Sequence, residues 1–134
     1  GASVVFCPCT HRFFRHEPHR YREMLARGVN VCLGTDSLAS TDNLSILDNL
    51  RFLRRGDASI SGDKLLEMGT ISGARAAGLE AETGSIEPGK RADLVVIPLS
   101  QGAASNPVED ILSGDEAPVS VYVAGKLCDA DRSG

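Results

Sequence analysis

The sequence predicts an α/β chain up to about residue 80, followed by a mostly β segment. Three observations carry this expectation. Residues 3–34 run strand, loop, helix, strand, the pattern of a parallel βαβ unit with its crossover. Residues 42–55 and 61–79 carry helical periodicity. Beyond residue 80 the chain is punctuated by Pro-Gly and Ala-Gly turns between short apolar runs.

The elements follow in order. Ser3-Val4-Val5-Phe6 opens a strand over 3–8 that Pro8 ends. Residues 9–19, CTHRFFRHEPH, read as a loop rich in His, Arg and Phe. Pro18 fits a helix start, Tyr21, Met24 and Leu25 share one face, and Gly28 supplies the cap. Residues 29–34, VNVCLG, form the next strand, a continuous apolar run of the buried parallel kind. In DNLSILDNLRFLRR, over 42–55, Leu44, Leu47, Leu50 and either Phe52 or Leu53 make one stripe. Asp42 stands at its start and Arg54-Arg55 at its end, complementing the helix dipole. Arg51, Arg54 and Arg55 read as a solvated face. One helix is expected over 61–79, capped by Ser61 or Asp63 and ended by Gly78. Its Gly69, Gly73, Ala74, Ala76 and Ala77 suit close packing.

After residue 80, Ser85-Ile86 reads as a short strand and Glu87-Pro88-Gly89-Lys90 as a turn, with Lys90-Arg91 solvated. Residues 92–99 read as a long strand and 101–106 as a polar loop. A short helix begins at Pro107 with Asn106 as its cap. A last hairpin turns at Ala124-Gly125 between 119–123 and 127–128. The division is therefore 1–80 and 81–134.

The formal net charge of −4 and pI near 5.3 argue against nucleic acid or an anionic membrane as partner. No apolar run reaches the roughly 18–20 residues of a membrane span. Of the four cysteines, only Cys7 and Cys9 are close in sequence, while Cys32 lies in an apolar run. That arrangement does not fit a structural zinc site; free thiols in a reducing, cytoplasmic compartment are expected. Gly1 stands where a Met would, directly before the first strand, and this reads as a portion of a longer polypeptide.

Asp36 is the most informative position. It follows an apolar strand and Gly34-Thr35, with Ser37 directly after it. A charge at the end of a buried strand is paired, bound to metal or used in chemistry. The alternative is that Asp36 caps the following helix, with Ser37 or Ser40 helping. His11, His16 and His19 share one loop at spacings that match no zinc pattern. No Gly-x-Ser-x-Gly elbow is present.

The motifs CP-x-T-H after the first strand, GVNVCLGTDSLAS at 28–40 and GSIEPGKRADLVVI at 84–97 together resemble the C-terminal part of the amidohydrolase superfamily. The resemblance runs from Ser3 to about Asp129 and is nearest to the cytosine deaminase, chlorohydrolase and guanine deaminase-like branch. It implies the last two strands and helices of a (β/α)8 metal-dependent hydrolase barrel, then the C-terminal half of a composite β-sandwich. It also implies hydrolysis of a C–N or C–Cl bond on a purine, pyrimidine or triazine-like ring, with a divalent metal, zinc or iron, activating water. Asp36 matches the family's aspartate after strand eight, which contacts the metal and moves the proton. His11 falls where resembling enzymes meet substrate, with Arg12 and Phe14 beside it and Thr10 able to orient the loop.

The resembling enzymes draw most metal ligands from histidines on earlier strands, and none of those strands is in this sequence. The chain alone is therefore expected to bind no metal and to be inactive. Exposed apolar surface on a partial barrel predicts self-association as a homo-oligomer. The alternative function is a non-catalytic remnant that binds a partner or oligomerises.

Overall fold

The fold is described by a computed structural model over residues 1–100 and 106–128. β1 (Ser3–Phe6) and β2 (Asn30–Leu33) pair in parallel, with Ser3 opposite Asn30 and Phe6 opposite Leu33. Side chains alternate between the two faces of a strand. Val4, Phe6, Val31 and Leu33 therefore share one face, and all four join the hydrophobic core with Leu50, Leu53, Leu65 and Met68. Val5 and Cys32 lie on the other face, where Val5 is 59% exposed.

The crossover holds two helices. α1 (Pro8–Phe13) replaces the loop expected over 9–19. Pro8 stops the strand, yet it also sits at the first helical position, where its fixed φ and missing N–H are no cost. The strand ends at Phe6, so Cys7 precedes the helix and Cys9 lies within it. α2 (Tyr21–Ala26) begins after Pro18, not at it, and closes on Gly28 at φ +74. Asp57, in the turn after the next helix, accepts from Tyr21 Oη and Arg22 Nε at 2.5 Å each and from Ser59 N at 2.9 Å and Oγ at 2.6 Å. Burial raises its pKa, but the hydrogen bonds from Ser59, Tyr21 and Arg22 outweigh it and hold the carboxyl well below its ordinary value.

α3 (Ile46–Gly56) starts later than Asp42, because Ser45 supplies the cap, its Oγ accepting from Asp48 N at 3.1 Å. The helix expected over 61–79 is two helices, α4 (Gly62–Gly69) and α5 (Ile71–Ala77). They part at Thr70, whose φ −130 and ψ −96 are not helical. Gly69 and β-branched Thr70 are weak helix formers, and Thr70 Oγ1 donates back to the Leu66 carbonyl at 2.7 Å. Ser61 caps α4 and Gly78, at φ +71, ends α5, both as expected. Gly69 is a close-approach position: a Cβ there would meet Leu50 Cδ1 at 2.9 Å. Ala76 and Ala77, by contrast, are exposed.

No strand forms at Ser85-Ile86, and Ile86 is exposed. Lys90 is not solvated: its Nζ donates to Ser85 Oγ at 2.6 Å and lies 3.3 Å from Glu87 Oε1. β3 (Leu94–Val96), shorter than the expected 92–99, pairs antiparallel with β4 (Ser120–Val123), which pairs antiparallel with β5 (Lys126–Cys128). Between β3 and β4, α6 (Pro107–Ser113) has Pro107 in its first turn and Asn106 as cap, as expected. Most of the polar loop expected over 101–106 lies outside the described residues.

One arginine reading is overturned. Arg51 is only 4% exposed; its Nε donates to the Ile111 carbonyl and its Nη2 to the Glu116 carbonyl, each at 2.9 Å. Arg54 pairs with Glu109 at 2.8 Å. This helix face is the joint to α6 and the segment after it. Among the described residues, no helix is long and apolar enough to cross a membrane.

Candidate functional site

The site forms where both parallel strands end. Gly34 N donates to the Phe6 carbonyl at 3.0 Å, so the strands stay paired one residue beyond β2. A Cβ on Gly34 would meet Val5 Cγ1 at 2.7 Å and Cys7 Sγ at 3.0 Å, which explains a glycine before Thr35. Asp36 then turns into the left-handed region at φ +61. Few residue types adopt it, and Asp is among those that do.

The exposed Asp36 carboxylate is held from one side. Ser40 Oγ donates to its Oδ2 at 2.9 Å. Ser40 is 3% exposed and lies 3.1 Å from Thr10 Oγ1, which reaches the Thr35 carbonyl at 3.2 Å. Thr10 on α1 thus ties the segment after β1 to the segment after β2, the orienting part expected of it. Asp36 does not cap the next helix, since that place belongs to Ser45. Cys7 was missed by reading the sequence. Burial raises its thiol pKa first, and the nearby Asp36 carboxylate raises it further. The signal lay in strand alternation: Val5 and Cys7 share a parity that faces away from the core.

His11 lies elsewhere on α1. Its ring meets Phe6 edge-on at 5.7 Å, His19 edge-on at 5.7 Å and His16 at 5.3 Å. His19 stacks on Phe6 at 4.4 Å, and burial, then the neighbouring His11, lowers its pKa. His11 and Thr10 are consecutive, but Thr10 turns to Asp36's support and His11 to the Phe6 ring. Among the described residues no hydrogen bond joins His11 to Asp36. The Arg12 guanidinium covers the Phe52 ring at 5.4 Å, and Phe14 is exposed, edge-on to Phe13.

Two cavities flank these elements. One, of ≈ 490 Å³, is lined by Cys9, Arg12, Leu38, Ser40, Asp42 and Asn49, among others. The other, of ≈ 910 Å³, is mostly apolar and lies between α4, α5 and β3. Among the described residues no group of three or more His, Cys, Asp or Glu is placed to hold a metal ion. Zinc takes three or four ligands, so Asp36 by itself does not make a metal site.

The amidohydrolase family model matches residues 1–128. The chain is 38% identical over 106 residues to 5-methylthioadenosine/S-adenosylhomocysteine deaminase of Moorella thermoacetica, covering 74% of this chain and 25% of that protein. It is 36% identical over 96 residues to S-triazine hydrolase of Gordonia rubripertincta, covering 66% of this chain and 20% of that protein. The fold is similar to that of a crystal structure of an adenosine deaminase from Xanthomonas campestris with bound zinc. That likeness has a TM-score of 0.83 and 28% identity over 93% of this chain and 31% of the other. The chain spans about a quarter of the length of the curated relatives it matches. An α/β fold with two parallel strands that end at Asp36, matched over nearly its whole length, places it plainly: the chain belongs to the amidohydrolase family.

Proposed function

We propose that this chain supplies the reacting carboxylate of a metal-dependent amidohydrolase, which in full-length form hydrolyses a C–N or C–Cl bond on a purine, pyrimidine or triazine-like ring. In this reading β1 and β2 are the last two strands of a (β/α)8 barrel, residues 1–80 its C-terminal segment and 81–134 half of a β-sandwich. Asp36 takes the proton of the attacking water as the oxygen bonds to the ring carbon. It then passes that proton to the departing amine as the C–N bond breaks. His11 lines the substrate pocket. The divalent metal, zinc or iron, would take its other ligands from outside this chain and would supply an activated water when bound.

One observation carries the reading: an aspartate in a left-handed conformation at the mouth of two parallel strands, its carboxylate exposed yet fixed by buried Ser40. Backbone strain held in place by surrounding bonds gathers at reactive sites. The names of the relatives, a 5-methylthioadenosine/S-adenosylhomocysteine deaminase and an S-triazine hydrolase, support the substrate class.

The test is ammonia or chloride release by the full-length protein from adenosine-type nucleosides and triazines. Asp36→Asn should lower kcat by roughly 10²–10⁴-fold with the circular dichroism spectrum unchanged. Near wild-type turnover in that variant rules out Asp36 as the proton carrier. Absence of turnover on every ring, with no metal bound, favours the non-catalytic module instead. Size-exclusion chromatography tests the proposed homo-oligomer.

A further inference from the structure

We propose that Ser40 and Thr10 are positioning residues for Asp36: a pair of hydroxyls, buried Ser40 and half-buried Thr10, that aims its carboxylate. The proposal rests on the reading of Asp36 as the proton carrier and deepens it.

Ser40 Oγ has one proton and three acceptors in reach: Asp36 Oδ2 at 2.9 Å, the Ser37 carbonyl at 3.2 Å and Thr10 Oγ1 at 3.1 Å. Thr10 has one proton, with Ser40 Oγ and the Thr35 carbonyl in reach. A hydrogen bond to an ionised carboxylate is about twice as strong as a neutral one. Ser40 therefore donates to the Asp36 carboxylate, and Thr10 can donate in turn to Ser40, polarising the chain.

Burial gives the pair its leverage. Ser40 is 3% exposed, so water does not readily replace its hydroxyl. The other end of the pair is in α1, one residue before His11, so a shift of that helix reaches Asp36 through Thr10 and Ser40. An aspartate at φ +61 sits in a shallow conformational well, and these bonds set which way it points.

The experiment uses the full-length protein and three variants beside Asp36→Asn. Ser40→Ala and Thr10→Val remove one hydroxyl each, Thr10→Val with shape kept, while Thr10→Ser restores it. Ser40→Ala and Thr10→Val are expected to lower kcat roughly 10–100-fold, the size of a misaimed reacting group. KM should stay within about twofold, and Thr10→Ser should recover most of kcat. Wild-type kcat in both Ser40→Ala and Thr10→Val, with Asp36→Asn inactive, overturns the positioning role and leaves the Asp36 reading standing. Thr10→Ser no better than Thr10→Val, with kcat falling only as the folded fraction falls, also overturns it. Full activity in Asp36→Asn removes the Asp36 reading and this proposal together.

Discussion

The α/β part around β1 and β2 and the three-stranded sheet of β3, β4 and β5 are built on opposite terms. In the first, the strand face of Val31 and Leu33 packs with Leu50 and Leu53 of α3 and Leu65 and Met68 of α4, and Leu65 and Met68 are essentially inaccessible. In the second, Val95 lies opposite Val121 on one face, Val123 shares that face, and all three remain exposed. The difference is one of layers. Amphipathic helices bury their own stripe and the strand face at once, whereas a small antiparallel sheet buries only what something else covers. Buried Leu112, and Arg51 reaching the Ile111 and Glu116 carbonyls, fasten α6 to the helical layer, and Asp110 of α6 accepts from Ser100 N and Oγ in the segment after β3.

The same truncation made in both parts breaks or supports this contrast. Leu65→Ala empties a fully buried position and should cost about 2–5 kcal/mol, read as a lower denaturant midpoint. A cost near zero there would mean the helical layer is not the stabilising core. Arg51→Ala comes next. It leaves two partly buried carbonyls without that donor and should cost about 1–3 kcal/mol, with faster hydrogen exchange across 107–116 and little change in β1 and β2. Uniform exchange across both parts would show that Arg51 is not the joint. Leu127→Ala, the smallest, removes an exposed side chain from β5 and should change stability by about 0.5 kcal/mol or less. A loss as large as that at Leu65 would erase the distinction between the two parts.

Local signals were legible where one or two residues decide an element. Ser61 and Asn106 were readable as caps, Pro107 as a helix start, Gly78 as a stop and Ala124-Gly125 as a hairpin turn. The misreadings fell where two local signals compete. Pro8 ends a strand and starts a helix with equal ease. Gly69-Thr70 sits inside a helical stripe that continues on both sides, and only the packing of α4 against Leu50 shows the break. Arg51 carries the composition of a solvated face, and its burial depends on carbonyls about 60 positions away in the chain, a distance no local pattern spans.

At the site the same line divides what was readable from what was not. A carboxylate after an apolar strand and a Gly-Thr pair singled out Asp36 in the sequence, and the structure places it exposed just past the end of β2. Its support was not readable in the same way. Ser40 and Thr10 are 30 positions apart, and their hydroxyls meet only because parallel pairing brings the ends of β1 and β2 side by side. His11, next to Thr10, turns instead toward Phe6 because a helix sends consecutive side chains in different directions. The sequence by itself determined the parallel βαβ opening, the antiparallel strands beyond residue 80 and several helix caps, because each rests on local patterning. The tertiary structure decided which hydroxyls hold that carboxylate, which arginine is buried and which strand faces are left open, since each of these depends on contacts between segments that are distant in the chain.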